Sequence, residues 1–182
     1  MDSAGTSAGV SAGMTARKAA GMSAQADDLR LAMRRWPSGV SVVTVHHLGV
    51  SHGMTVSSLV SVSLDPPTVL VSLERGTRTH EMVQAAGIFA VTILSADQRA
   101  VSERFASFGT EAEDRFAGLM THTLLTSAPL LAGGLAYLDC RVIAAHPSGL
   151  NTLFIGQVLA AQPGVDGQPL VYFDRQYRQL QE

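Results

Sequence analysis

Gly53-Met54-Thr55-Val56-Ser57-Ser58-Leu59-Val60-Ser61-Val62-Ser63-Leu64-Asp65-Pro66-Pro67 is rich in β-branched residues and small hydroxyls, and it closes on a turn-forming Asp-Pro-Pro. Such a run reads as extended chain, because branched side chains pack well on a pleated surface. Alternation places Thr55, Ser57, Ser61 and Ser63 on one face. Small hydroxyls there would let a planar ring and a phosphate approach the backbone closely while still forming hydrogen bonds. The same spacing equally describes the solvent face of an ordinary sheet.

Outward from this run, strand signals dominate. Upstream, residues 40–45 are β-branched, and the long extended run covers 49–63. Downstream come apolar strands at 68–73 and 88–94, a cleanly alternating one at 135–145, and the last two at 151–161 and 170–173. In the alternating segment Ala136, Leu138, Cys140, Val142 and Ala144 share one face. Helices are few and short. Leu29, Met33 and Trp36 recur at helical spacing over residues 27–36, which Pro37 terminates. A second helix covers 79–86 and stops at Gly87. Ser95/Gln98 and Thr110/Glu113 have capping-box spacing and start two more, one carrying Val101 and Phe105, the other reaching Phe116. The expected class is mainly β with short helices, an antiparallel, Greek-key-like barrel.

Residues 1–24 are almost all Ala, Gly, Ser, Thr and Met, too poor in large apolar groups to offset the cost of ordering. They are expected to be a flexible tail, leaving residues 25–182 as one domain. Formal net charge is −2, with acids and bases interspersed, so neither a nucleic acid nor a membrane surface is an expected partner. Cys140 is the only cysteine, which excludes an internal disulfide and a cysteine zinc cluster and suggests the reducing cytoplasm. No run approaches eighteen apolar residues, and no signal-peptide pattern precedes Arg17 and Lys18.

Several chemistries lack their motifs. There is no GxGxxG, no phosphate-loop GxxxxGK[ST] and no HExxH, and GxSxG occurs only inside the Ala/Gly/Ser-rich residues 1–24, without the strand and helix a nucleophile elbow needs. The six histidines, His46, His47, His52, His80, His122 and His146, read as scattered surface or rim residues without metal-ligand convergence.

Pieces of the chain, in order, resemble one family. They are Pro37-Ser38-Gly39-Val40, Gly53-Met54-Thr55-Val56-Ser57-Ser58, Ser61-Val62-Ser63-Leu64-Asp65-Pro66-Pro67, Gly87-Ile88-Phe89-Ala90-Val91-Thr92-Ile93-Leu94, Phe105-Ala106, Arg115-Phe116, Pro129-Leu130-Leu131, Leu138-Asp139-Cys140 and Pro169-Leu170-Val171-Tyr172-Phe173 with Tyr177. The set is similar to the flavin reductase-like, FMN-binding split-barrel family over residues 28–180. That resemblance implies a homodimer using FMN or FAD, with NAD(P)H as co-substrate and a flavin-dependent monooxygenase as partner through diffusible reduced flavin. It also implies a flavin site. Thr55, Val56, Ser57 and Ser58 would line the ribityl chain and ring edge, Ser38 and Met54 would also belong to the cofactor site, and Ser72 and Leu73 would meet the flavin through their backbone. Arg75, Thr77, Arg78 and Thr79 would hold the phosphate, a role suited to arginines and hydroxyls beside a helix N-terminus. Phe105 and Ala106 would edge the pocket or simply belong to the core; the arginines equally suit a solvated turn. Asn151 and Tyr172 would face the nicotinamide. Gly149-Leu150-Asn151 stands where the family commonly has Gly-Asp-His, so this chain lacks the titratable group there. No side chain is expected to act as acid or base. Two rival readings fit the same pocket: a flavoprotein that retains FMN and passes electrons on, and a flavin-binding module without reductase activity.

Overall fold

The computed structural model describes residues 26–106 and 114–180, in two units divided between Trp36 and Pro37. The first contains helix α1 (Ala26–Met33). Asp27 and Asp28 occupy its first turn, where the helix dipole favours acids, and Arg30 pairs with Asp27 at 2.7 Å. Trp36 N–H still reaches the Met33 carbonyl, so the helical path persists to the residue before proline.

The second unit is antiparallel β structure. Its strands are β1 (Ser38–Gly39), β2 (Ser41–His47), β3 (Val50–Val56), β4 (Val60–Leu64), β5 (Pro67–Glu74), β6 (Ile88–Ile93), β7 (Thr121–His122), β8 (Leu130–Leu131), β9 (Ala136–Ser148), β10 (Asn151–Pro163), β11 (Val171–Phe173) and β12 (Gln176–Arg178). Helices α2 (Arg78–Ala86) and α3 (Arg99–Ala106) accompany them. Seven strands form the main sheet in the order β3-β2-β6-β9-β10-β5-β4, β1-β11-β12 form a second, and β7-β8 a ribbon. Two hairpins are two-residue turns. Leu48 and Gly49 both take positive φ, the type I′ pattern, and Gly149 takes φ 57 at the first central position, the type II′ pattern.

The main sheet curls on itself. One interior cluster joins Val43 and Val45 of β2 to Val56 of β3, Val69, Val71 and Leu73 of β5, Phe89 and Val91 of β6, Cys140 of β9 and Phe154 of β10. Strands at opposite ends of the sheet order thus share one core, and Val83 of α2 packs on it. No ladder joins edge strands β3 and β4. The barrel is therefore split there, as the resemblance to the split-barrel family implies. The expected single run over 49–63 likewise breaks at residues 57–59. Ser61 and Ser63 consequently sit on a different strand from Thr55, and Ser63 turns its hydroxyl to the Asp65 carbonyl.

A second cluster of Val40, Val42, Leu94, Phe105, Leu131 and Leu170 lies under the small sheet. In β9 the alternation holds: Leu138, Cys140 and Val142 join the interior, while Arg141 and Ile143 face solvent. Asp139, also buried, is satisfied by the amides of Leu125 and Thr126 and the Thr126 hydroxyl. Ser95 N–H bonds Gln98 Oε1 as its spacing requires. Thr110 and Glu113 lie outside the described residues, and residues 115–118 form turns rather than helix. Among the described residues, no helix is long and apolar enough to cross a membrane.

Candidate functional site

Three segments converge: the end of β3 with residues 57–59, the end of β5, and the start of α2. Thr77 caps α2. Its hydroxyl accepts from His80 N–H at 3.4 Å and donates to the Glu74 carbonyl at 2.7 Å. Thr79, buried, meets His52 Nδ1 of β3 at 2.8 Å, which ties the helix start to that strand.

Ser58 explains the break after β3. Strand β4 pairs with β5 only from Leu64↔Pro67 to Val60↔Leu70, so the edge of β5 beyond Leu70 lacks a strand partner. The Ser58 hydroxyl takes that place, accepting from Ser72 N–H and donating to the Ser72 carbonyl, both at 3.0 Å. The backbone of Ser72 is therefore occupied. Leu73 is fully buried and stands opposite Thr152 in the β5–β10 ladder. Ser72 also presents its side-chain hydroxyl. Asn151 Nδ2 donates to that hydroxyl at 2.9 Å. Around this pair, half-buried Leu70, Leu153 and Ile155 give the outer face of β5 and β10 an apolar surface.

The two candidate arginines part company. Arg75 lines a cleft of about 540 Å³ that also contains Glu74, Glu81, His80 and Gln84, and its guanidinium approaches the Gly149 carbonyl at 3.4 Å. Arg78 lines a different cleft of about 460 Å³, with His52, Asp114, Arg115 and Phe116. Arg115 Nη1 donates to the carbonyls of Gly53 and Phe105 at 3.0 and 3.1 Å, which fixes it beside the end of α3. Burial first, then Arg115 and Arg78, hold the His52 imidazole down to a pKa of about 4. A positive charge on His52 is thus disfavoured, and the same cleft sets Asp114 beside the two arginines.

The remaining predicted residues divide. Ser38 and Tyr172 stand opposite each other in β1 and β11. Tyr172 packs edge-on against Tyr177 at 5.4 Å, Tyr177 Oη bonds Ser102 Oγ at 2.9 Å, and the Ser102 carbonyl accepts from Thr55 Oγ1 at 2.7 Å. A continuous path therefore links Thr55 to Tyr172. Ser57 is exposed. Met54 and Val56 point into the interior cluster, and Phe105 is core, edge-on to Phe116 at 5.2 Å, with Ala106 exposed after it. The side chains of Met54, Val56 and Phe105 thus take part in core packing.

Two histidines are not rim residues. His80 is buried, bonded through Nε2 to Thr152 Oγ1 at 2.8 Å and edge-on to Phe154, and burial lowers its pKa. His52 is half-buried in the cationic cleft. Sequence reasoning also missed Arg115 as a site residue. His52 had a usable signal, since alternation places it on the same face as the inward Met54; Arg115 had none, in a polar stretch without periodicity. Among the described residues there is no group of three or more His, Cys, Asp or Glu suited to a metal.

Residues 33–181 match the flavin reductase like domain. The chain belongs to this family. It is 38% identical over 160 residues to the actinorhodin polyketide dimerase of Streptomyces coelicolor, covering 87% of this chain and 89% of that one. It is 37% identical over 146 residues to the reductase component of the 4-nitrophenol 4-monooxygenase/4-nitrocatechol 2-monooxygenase of Rhodococcus opacus, covering 80% and 76%. Among solved structures, the NADH:FAD oxidoreductase SgcE6 of Streptomyces globisporus, in complex with NAD and FAD fragments, superposes with a TM-score of 0.79 at 31% identity, covering 85% of this chain and 92% of that one.

Proposed function

We propose that this flavin reductase-family chain is an NAD(P)H:flavin oxidoreductase, reducing FMN or FAD for a flavin-dependent monooxygenase that receives the reduced flavin by diffusion. The family match across almost the whole second unit carries the reading. The donor set fits the cofactor. Arg78 and Arg115 beside a neutral His52 suit a phosphate at the start of α2. The half-buried leucine and isoleucine surface beside Ser72 suits a planar ring. A bound flavin would supply the hydride-accepting chemistry. The chain's part is to hold the ring at the end of β5, to anchor the phosphate, and to exclude water with the apolar outer face.

We further propose that the chain works as a homodimer in the cytoplasm. The exposed Val60, Val62, Ile143 and Leu159 make an apolar surface on the main sheet that a second copy would cover.

Aerobic nicotinamide consumption, crossing NADH and NADPH with FMN and FAD, tests the activity. Turnover that requires added flavin is expected. Retention of yellow flavin through purification would favour an electron-transfer flavoprotein, and flavin binding without turnover would favour a binding module.

A further inference from the structure

Ser72 sits where two unusual hydrogen-bond arrangements meet. Ser58 Oγ satisfies both its backbone groups at 3.0 Å, so the residue is locked in place although its edge of the sheet has lost β4. Asn151 Nδ2 then donates to Ser72 Oγ at 2.9 Å. A serine hydroxyl has one proton and two lone pairs. With Asn151 filling a lone pair, the Ser72 proton is directed elsewhere. Both residues are half-buried, on the face that carries Leu70, Leu153 and Ile155. Asn151 itself is held by the Gly149 turn and by its register opposite Glu74.

We propose that Asn151 is a positioning residue: its carboxamide fixes the Ser72 hydroxyl as a hydrogen-bond donor to an acceptor on the edge of the flavin ring. This rests on the flavin reading above. Asn151 gives no proton to the reaction; it decides which way Ser72 donates.

The test uses the full chain without nicotinamide, with the FMN dissociation constant from fluorescence quenching and the absorption bands of the bound flavin as readouts. Ser72→Ala should weaken FMN roughly 3- to 10-fold, the scale of one hydrogen bond, and shift the flavin bands. Asn151→Leu, which releases the hydroxyl to rotate, should reproduce both effects. The double variant should be no worse than either single one, because the two residues act as a unit. Asn151→Asp, nearly isosteric, covers the case in which the leucine variant does not fold. Its carboxylate can only accept, so it draws the Ser72 proton to itself and should match Ser72→Ala. Additive losses in the double variant, or wild-type affinity and bands in Asn151→Asp, would overturn the proposal while leaving the flavin reading intact. Failure of the unmodified chain to bind FMN or FAD would overturn both.

Discussion

Arg75 and Arg78 are three positions apart, yet they face different clefts: one contains Glu74, Glu81 and His80, the other Arg115, Asp114 and His52. We propose that of the two Arg78 holds the phosphate. Arg78→Ala should weaken FMN by about 1.5–3 kcal/mol, the scale of a hydrogen bond to a charged group. Riboflavin, which has no phosphate, should be nearly indifferent, and Arg75→Ala should have a smaller effect on FMN. Titration calorimetry with both ligands checks this, and equal losses for FMN and riboflavin in Arg78→Ala would remove the phosphate role. His52 gives a stability prediction. Its folded-state pKa of about 4 lies below the ordinary 6.5, so the unfolded chain binds more protons between those values. Stability is therefore lost as pH falls from about 6.5 to 4, and His52→Gln should flatten the fall of melting temperature across that window. At position 151 the chain lacks a titrating group, so kcat/KM for NADH should vary little between about pH 5.5 and 7.5. Asn151→His should add an inflection near about 6.5, shifted by its surroundings. A ring N–H can still donate to Ser72, so flavin affinity should change less than the Michaelis constant. Identical pH profiles in the two forms would place Asn151 away from the nicotinamide.

Among the elements, β10 carries the tightest constraint. A Cβ at Gly156 would stand 2.5 Å from the Phe89 ring and 3.1 Å from Cys140 Cβ, both in the interior cluster. Gly156→Ala should cost about 1–3 kcal/mol by overpacking, read as a lowered denaturation midpoint at constant slope. An unchanged midpoint would mean that Phe89 swings aside freely. Element by element, the strands were legible because their signals are local. Alternation in β9 and the apolar runs of β5 and β6 follow from which face is buried, and Gly87 ends α2 with φ 68, as its lack of Cβ allows. The break at residues 57–59 was not legible, because its cause is the Ser58 hydroxyl meeting a strand fourteen positions away. The short β1, β7, β8 and β12 were also missed, since two or three residues show no period. The site was half legible for the same reason. Its candidate polar residues could be named from the sequence, but only the folded chain sets Arg75 and Arg78 in different clefts, packs Met54, Val56 and Phe105 against core clusters, and brings in Arg115 from 62 positions beyond Gly53.

At the scale of the whole molecule, the curled sheet brings β3 and β5, from near opposite ends of the strand order, around one core, and that closure brings Thr79 and His52 together beside the end of β5. We propose that residues 25–182 suffice for this arrangement. Deleting residues 1–24 should leave melting temperature and flavin affinity unchanged, and a large loss in either would show that the Ala/Gly/Ser-rich segment belongs to the folded domain. The proposed dimer predicts twice the chain mass in sedimentation equilibrium, lowered by Val62→Glu on the exposed edge of β4. In the proposed reaction the chain aligns a nicotinamide with a flavin and needs no acid or base of its own. Anaerobic rapid mixing of the chain and FMN with NADH tests it most directly. Bleaching of the flavin colour is expected, far faster than without protein, at a rate nearly constant across neutral pH. A rate no faster than the protein-free mixture would contradict it.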